Sequence, residues 1–153
     1  MANTYTQLYI HLVFAVKGRE NFILEDKREE LEKYICGIVS NNNSKPLAIF
    51  CNPDHTHILI GLNPSISISD LTKIIKSNSS KWINENKWVS GKFSWQEGFG
   101  AFTHSKSQID LVAKYILNQA EHHKKKTFRE EYIKFLEECG IEYDERYLFT
   151  WNN

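Results

Sequence analysis

Hydrophobic residues alternate, or recur with helical spacing, along most of the chain, and their pattern predicts the elements of a small α+β fold. Residues 5–16 are dense in β-branched and aromatic side chains and end at a Lys-Gly turn, which is typical of a strand. Apolar residues with spacings of three, four and seven predict a helix over about residues 26–40. Residues 47–51 and 55–61 are short apolar segments separated by an Asn-Pro-Asp turn, so they predict an antiparallel hairpin.

A second helix and a fourth strand are predicted after the hairpin. Ser67 and Asp70 have the spacing of a capping box, and the apolar residues after them share one helical face. Residues 93–103 are strand-like, and Gly98 and Gly100 within them predict a bulge or a close backbone approach. The predicted order of elements is therefore β-α-β-β-α-β.

Two more helices are predicted beyond the fourth strand. Ser107 with Asp110 marks the start of one, and Thr127 with Glu130 marks the start of the other, which ends near Gly140. The whole pattern predicts a ferredoxin-like, RRM-like α+β fold. In this fold a βαββαβ antiparallel sheet has helices on one face, and the C-terminal helices are an addition to it.

Composition limits the class of protein. The 153 residues are 41% hydrophobic, with 19 basic and 19 acidic residues, and a chain of this length is expected to form one domain over residues 1–153. No run of about 18 uncharged apolar residues and no basic-then-apolar leader is found, which favours a cytoplasmic protein without membrane contact. The three widely spaced cysteines, Cys36, Cys51 and Cys139, indicate neither a disulfide framework nor a thiolate zinc site.

Charge is unevenly distributed along this neutral chain. Residues 69–95 contain five lysines and two carboxylates, and residues 102–126 again contain five and two. Residues 129–146 contain three basic and seven acidic residues. The basic middle of the chain can bind a phosphate backbone, although a modest excess of lysine is also typical of an ordinary solvated surface.

The most specific chemical signal is the pair His55 and His57. Alternate side chains of a strand point to the same face, so both imidazoles can reach one metal ion. Tyr115 and Gln119 share one face of a predicted helix, where an amide is costly to bury without a polar partner. Two imidazoles and one amide oxygen make a three-ligand site, and the oxygen ligand favours Mg²⁺ or Mn²⁺ over a structural Zn²⁺.

Four segments of the chain resemble the single-tyrosine HUH transposases of the insertion sequence 200/605 family. Residues 53–60 are Pro-Asp-His-Thr-His-Ile-Leu-Ile, residues 79–82 are Ser-Ser-Lys-Trp, residues 95–100 are Trp-Gln-Glu-Gly-Phe-Gly, and residues 115–119 are Tyr-Ile-Leu-Asn-Gln. The likeness extends from about residue 5 to residue 148.

The resemblance implies a set of site residues. The two family histidines match His55 and His57, the catalytic tyrosine on the C-terminal helices matches Tyr115, and the glutamine one turn later matches Gln119. The histidines and the glutamine are then ligands of a divalent metal, Mg²⁺ or Mn²⁺. The middle residue of the histidine motif is usually a bulky hydrophobe in the family, whereas here it is Thr56, which points away from the ligands.

The activity implied by the resemblance is the cutting and rejoining of single-stranded DNA at insertion-sequence ends. The metal polarises the scissile phosphate, and the Tyr115 hydroxyl attacks phosphorus to give a 5′-phosphotyrosine and a free 3′-hydroxyl. Because the phosphodiester energy is conserved, no nucleotide cofactor is required. The sequence does not identify the base that takes the proton of Tyr115.

The partners implied by the resemblance are single-stranded DNA with hairpin ends and a second copy of the chain. In such homodimers the histidine pair of one subunit works with the tyrosine helix of the other. Basic side chains that can contact DNA form two groups: Lys73, Lys76 and Lys81 on the second helix, and Lys124, Lys125 and Lys126 after the Tyr-Gln pair. The nearby Trp82 and Trp95 are expected to belong to the core.

Two alternatives fit parts of the sequence. One is an inactive or domesticated single-stranded nucleic-acid-binding module of the same fold, whose sheet aromatics stack on bases; the RNP-type string of such modules is absent from the chain. The other is a metal-independent two-histidine phosphoesterase, which would need a second copy of its motif.

The four other histidines carry weaker predictions. His122 and His123 are expected to be polar residues at a helix end, where positive charge is favourable. His104 is a candidate neighbour of the site, and His11 can face either side of the sheet.

Overall fold

A four-stranded antiparallel sheet forms the centre of the computed structural model, which describes residues 3–148. The strands are β1 (Tyr9–Ala15), β2 (Lys45–Cys51), β3 (His55–Gly61) and β4 (Gly100–His104), and their order in the sheet is β2-β3-β1-β4. The helices are α1 (Arg28–Asn41), α2 (Ile68–Glu85), α3 (Ile109–Leu117), α4 (Gln119–His122) and α5 (Phe128–Glu138). The ends of the predicted domain, residues 1–2 and 149–153, lie outside the described residues.

The β-α-β-β-α-β order and the ferredoxin-like α+β class predicted from the hydrophobic pattern are confirmed. Side-chain alternation on the central strand β1 divides the molecule into two cores. Leu12 and Phe14 face the first core, which is formed with α1 and α2. Val13 and Ala15 face the opposite side, where α5 packs. The C-terminal helices therefore lie on the sheet face that α1 and α2 leave free.

Helices α1 and α2 cover the first face with the apolar stripes that the sequence predicts. Leu31 of α1 and Leu71 of α2 are fully buried in this core. Ser67 caps α2 by accepting a hydrogen bond from the Asp70 backbone, as expected from the capping-box spacing. Among residues 3–148, no helix is long and apolar enough to cross a membrane.

The two tryptophans expected in the core do pack there. Trp95 is buried and donates its indole N–H to the hydroxyl of Ser79 at 2.9 Å. Trp82 is partly buried and stacks face to face on Tyr34, with ring centroids 4.2 Å apart. Both rings are therefore used by the fold, and neither is a free platform for stacking a base.

The fourth strand is shorter than the predicted 93–103 segment. It begins only at Gly100, because the side-chain amide of Asn84 bonds both the N–H and the C=O of Phe93 and holds that end of the segment in a loop. Gly98 has a φ of +86°, which ends any extended run there. Within this segment, Trp95 forms a single bridge with Val16.

The predicted cap at Ser107 is wrong. The capping box is formed by Ser105 with Gln108, and a short 3-10 turn precedes α3. In the sequence, Ser105 with Gln108 and Ser107 with Asp110 have the same spacing. Ser105 forms the cap because β4 ends at His104, directly before it. The helix that carries Tyr115 also breaks at Asn118, so Gln119 begins the short helix α4.

At Gly100 the close neighbours are side chains, whereas the sequence predicts a bulge or a close backbone approach. A Cβ at this position would lie 2.7 Å from both the Cε1 and the hydroxyl of Tyr132 on α5, and 3.1 Å from the ring of Phe102. Tyr132 is buried. The absence of a side chain at Gly100 is thus what allows α5 to pack against β4.

Replacing Gly100 with alanine should destabilise the protein. Because a buried ring must move to admit the methyl group, we expect a loss of roughly 1–3 kcal/mol in the free energy of unfolding, measured by urea denaturation. Gly37→Ala is the control: this exposed glycine within α1 has open space around its Cα, so the change should stabilise by about 0.5–1 kcal/mol. Equal stability of the two variants would contradict the packing argument.

Candidate active site

The two motif histidines lie side by side on the sheet face that packs against the C-terminal helices. His55 and His57 belong to β3, between β1 and β2, and their side chains are almost completely buried. Leu59, the next residue on the same face, packs with Ile116 of α3. Thr56 is fully buried on the other face, opposite Phe14 of β1.

A carboxylate from α5 reaches the histidine pair. Helix α5 begins at the Thr127 capping box and buries Phe128 and Tyr132 against the sheet. Glu131 lies on this same inward face, and its side chain is 1% exposed. Its Oε1 atom is 2.9 Å from His57 Nε2 and 3.7 Å from His55 Nε2. An acidic residue is thus buried where the sheet presents two imidazoles.

The same carboxylate binds the tyrosine and the glutamine that the sequence singles out. The hydroxyl of Tyr115 donates to Glu131 Oε2, and the amide nitrogen of Gln119 donates to this oxygen at 3.2 Å. Tyr115 also lies 3.1 Å from His122 Nε2. The structure therefore brings His55, His57, Tyr115 and Gln119 of one chain together around Glu131.

Each of the two motif histidines is held by a second contact at its other ring nitrogen. His55 Nδ1 is 2.7 Å from a carboxylate oxygen of Asp54, and His57 Nδ1 is 2.8 Å from His11 Nε2. Phe128 stacks on the His55 ring with a centroid separation of 3.7 Å. These contacts fix the orientation of the rings, and they place His11 on the site face of β1.

His123 is a third imidazole in this cluster. Its Nε2 lies 2.9 Å from Gln119 Oε1 and 3.2 Å from His55 Nε2, and its Nδ1 lies 3.0 Å from the carbonyl oxygen of Lys126. The ligand atoms of His55, His57, His123 and Glu131 all lie within 4.8 Å of one another. Imidazole and carboxylate donors of this kind fit a divalent transition metal.

Burial determines the charges in the cluster. It lowers the pKa of His55 to about 4 against the opposing effect of Asp54, and it lowers the pKa of His11 well below its usual value. Burial alone would raise the pKa of Glu131, but the adjacent His57 and the hydrogen bonds from His123 and His57 hold it well below the usual range. At neutral pH the cluster therefore combines the neutral imidazoles of His11 and His55 with a charged carboxylate, which favours a cation.

The nucleophile candidate is strongly protonated in this state. Burial raises the pKa of Tyr115, and the negative charge of Glu131 raises it further. The phenol needs a nearby proton acceptor, or a cation that offsets the carboxylate, before it can attack.

The two groups of predicted DNA-contact lysines lie on different sides of the sheet. Lys73 and Lys81 of α2 line a groove of about 630 Å³ on the side opposite Tyr115. Lys76 of α2 donates to the carbonyl oxygens of Gln96, at 2.8 Å, and Gly98. Burial lowers the pKa of Lys76 to about 8. Lys76 is thus engaged in holding the loop before β4.

The second lysine group is close to the tyrosine. Lys125 and Tyr115 line one cavity, of about 650 Å³. Lys126 lines another with Tyr115 and Glu131. Lys124 is exposed and forms an ion pair with Glu121 at 2.9 Å. Positive charge therefore flanks the candidate nucleophile.

The sequence interpretation did not include Glu131, His123 or His11 in the site. Glu131 has a detectable signal, because it falls on the inward stripe of α5 between Phe128 and Tyr132. A charged residue on a buried helical stripe needs a partner, which is the same reasoning that identifies Gln119. His123 and His11 have no comparable signal in the sequence.

Comparisons with known proteins point to one family. A family model described as IS200-like transposases matches residues 4–119. The ISDra2 transposase TnpA of Deinococcus radiodurans is 26% identical over 120 residues, which cover 74% of this chain and 84% of that protein. The transposase for insertion sequence element IS200 of Salmonella typhimurium is 27% identical over 130 residues, covering 81% of this chain and 84% of that protein.

Solved structures share the fold. The crystal structure of a proposed transposase from Deinococcus radiodurans R1 superposes with a TM-score of 0.61 at 24% identity, covering 78% of this chain and 95% of that chain. A REP-associated tyrosine transposase bound to a REP hairpin gives a TM-score of 0.59 at 14% identity, covering 80% and 73%. The family match ends at Gln119, so His123 and Glu131 lie beyond it.

Acidification should destabilise the metal-free protein through His55. The unfolded chain protonates this residue near its ordinary pKa of 6.5, whereas the folded protein does so only near 4. The unfolded chain thus binds more protons between these values, and stability falls as the pH is lowered through this window. The loss is on the order of 3 kcal/mol, measurable by urea unfolding in EDTA at pH 7 and pH 4.

The matched variant is His55→Asn, which removes one titrating group. It should reduce the pH dependence between pH 6.5 and 4 without abolishing it, because the pKa of the buried His11 is also lowered. Thr103→Asn, at an exposed residue of β4 that does not titrate, serves as the control and should keep the wild-type slope. A wild-type protein whose unfolding free energy is constant over this window would refute the buried, neutral state of His55.

Proposed function

The chain belongs to the family of IS200-like transposases, and from this premise we propose that it cuts and rejoins single-stranded DNA at the ends of an insertion sequence through a covalent bond to Tyr115. A transposase is an enzyme that cleaves and rejoins DNA. The observation that carries the finer proposal is the placement of the Tyr115 hydroxyl on Glu131, whose other oxygen contacts His57. This contact supports the proposal that Tyr115 is the nucleophile and that the neighbouring histidines bind the metal.

The proposed reaction transfers a phosphoryl group to the tyrosine. The Tyr115 Oη atom forms a bond to phosphorus, the bond from phosphorus to the 3′-oxygen breaks, and a 3′-hydroxyl leaves after taking up a proton. Glu131 Oε2 and His122 Nε2 are the groups that contact the hydroxyl and can accept its proton. Attack of the free 3′-hydroxyl on a phosphotyrosine reverses the step and joins strands without a nucleotide cofactor.

The metal ion is assigned to His55, His57 and Gln119, as the resemblance implies. The chemistry of these donors fits a divalent ion, because the two Nε2 atoms and the amide oxygen face the same buried volume. When bound there, the ion supplies Lewis-acid polarisation of the scissile phosphate. Asp54 and His11 hold the two imidazoles in the orientation that binding requires.

The proposed substrate is single-stranded DNA with a hairpin near the cleavage point. The structural neighbour solved with a REP hairpin supports this choice of substrate. Lys125 and Lys126, in the cavities beside Tyr115, are proposed to hold the backbone next to the scissile phosphate. Lys73 and Lys81 are proposed to contact a more distant part of the DNA.

A homodimer remains a prediction from the resemblance. We propose that each subunit nevertheless completes its own active site. This is supported by the contacts of Tyr115, which are made to Glu131 and His122 of the same chain. No membrane partner is proposed.

Tyr115→Phe should abolish the covalent adduct and leave DNA binding intact, because only the attacking oxygen is removed. The assay incubates protein with a labelled single-stranded oligonucleotide spanning an element end, with Mn²⁺ or EDTA, and resolves the products by denaturing electrophoresis. Tyr147→Phe, at an exposed tyrosine, is the matched control and should form the adduct. A Tyr115→Phe protein that still forms an adduct would remove this residue from the role.

Replacing Lys124, Lys125 and Lys126 together with glutamine should weaken single-strand binding and reduce its salt dependence. Each lost phosphate contact lowers the slope of log affinity against log salt by about 0.7, so three contacts lower it by about 2. Fluorescence anisotropy at several salt concentrations measures both quantities. A charge-matched control carries Lys27→Gln, Lys33→Gln and Lys45→Gln. If the two triple variants have the same slope, the proposed contact region is wrong.

A further inference from the structure

We propose that the metal site is completed by His123 and Glu131, which join His55 and His57 to make a shell of three imidazoles and one carboxylate that selects Mn²⁺ and its transition-metal neighbours over Mg²⁺. The proposal rests on the metal-assisted function above and deepens it. Both added residues lie after Gln119, outside the part of the chain that the family model matches. The complete site would therefore be a property of this chain's own C-terminal segment.

The first argument is the orientation of the three imidazoles. His55 Nδ1 contacts the Asp54 carboxylate at 2.7 Å, and His123 Nδ1 contacts the Lys126 carbonyl at 3.0 Å. Both contacts place a hydrogen on Nδ1, so Nε2 is the nitrogen available to a metal ion. His57 Nδ1 lies 2.8 Å from His11 Nε2, so its Nε2 also faces the cluster. Metal-bound histidines nearly always have such a partner on the ring nitrogen that does not bind the ion.

The second argument is the spacing of the atoms that converge. Glu131 Oε1 is 2.9 Å from His57 Nε2 and 3.5 Å from His123 Nε2, and the His55 and His123 Nε2 atoms are 3.2 Å apart. Ligands about 2.1 Å from one ion in a tetrahedral or octahedral shell are separated by about 3.0–3.4 Å. The three separations are close to these values, and the His55 Nε2 to Glu131 Oε1 distance, 3.7 Å, is slightly longer.

The third argument is the number of lone pairs directed at one point. The Asn52 amide nitrogen lies 3.1 Å from His55 Nε2 and 3.2 Å from Gln119 Oε1, so both of these atoms act as acceptors. The Glu131 carboxylate is an acceptor on the other side of the same space. In the metal-free chain a hydrogen on His123 Nε2 bonds Gln119 Oε1 at 2.9 Å, and a cation at the common centre would take the place of this hydrogen.

The ligand types determine which ion is preferred. Mg²⁺ favours oxygen ligands and retains several waters, whereas imidazole nitrogens bind Mn²⁺, Co²⁺ and Zn²⁺ more strongly. A shell with three imidazole nitrogens therefore prefers Mn²⁺ to Mg²⁺. A set of two histidines and one amide oxygen does not distinguish between these two ions. The Gln119 carbonyl, 2.9 Å from His123 Nε2, can join the same shell.

The test is a titration of metal-stripped protein, without DNA, by isothermal calorimetry with Mn²⁺, Co²⁺ and Mg²⁺. We expect one ion per chain and at least about 100-fold tighter binding of Mn²⁺ than of Mg²⁺. Glu131→Gln and His123→Gln should each weaken Mn²⁺ binding by on the order of 100-fold, and Asp54→Asn by about 10–100-fold. Glu137→Gln and His104→Gln are the matched controls and should bind Mn²⁺ as the wild type does.

Wild-type affinity in both the Glu131 and His123 variants would overturn the proposal, as would equal binding of Mn²⁺ and Mg²⁺. Circular dichroism checks that the Glu131→Gln and His123→Gln variants are folded. If one of them is unfolded, the Mn²⁺ affinity of the other tests the proposal. The oligonucleotide assay separates this failure from failure of the proposed function. If the wild type forms the adduct and neither the Glu131 nor the His123 substitution changes the Mn²⁺ affinity, only the added ligands are refuted. A wild type that binds Mn²⁺ as expected but forms no adduct refutes only the transesterification.

Discussion

A buried carboxylate is the constraint on which the rest of the site depends. Glu131 has almost no contact with solvent, and a charged group in such a place is stable only with compensating partners. Its two oxygens separate these partners into two sets. One oxygen faces the histidines of β3 and His123, and the other faces Tyr115, Gln119 and His122. A single side chain thereby links the candidate metal ligands to the candidate nucleophile.

The fold positions this carboxylate because different helices cover the two faces of the sheet. Helices α1 and α2 bury one face as an apolar core, which stabilises the sheet without contributing to the site. The other face carries His11, His55 and His57, and α5 covers it. Docking of α5 depends on the absence of a side chain at Gly100. Packing at the edge strand thus determines where Glu131 lies.

Local sequence patterns predicted the parts of the molecule whose structure is determined locally. Strand alternation indicated that His55 and His57 share a face, and helical spacing indicated the same for Tyr115 and Gln119. The position of His123 depends on the helix break at Asn118 and the turn before Thr127, and no periodicity encodes these features. Glu131 lies in an acidic segment whose composition is typical of solvated surface, and only its place on the inward stripe of α5 distinguishes it from the neighbouring carboxylates. The predicted fourth strand is too long because the hydrogen bonds between the Asn84 side chain and the Phe93 backbone join residues nine positions apart. A local hydrophobic pattern does not reveal such bonds.

We propose that a single chain supplies the histidine pair, the carboxylate and the tyrosine of one active site. Mixing His57→Ala protein with Tyr115→Phe protein, and assaying the mixture for the covalent DNA adduct, tests this claim directly. If each chain completes its own site, the mixture stays as inactive as either variant alone. An adduct on the His57→Ala chain would mean that its tyrosine works with the histidines of a partner, which would contradict an active site completed within one chain.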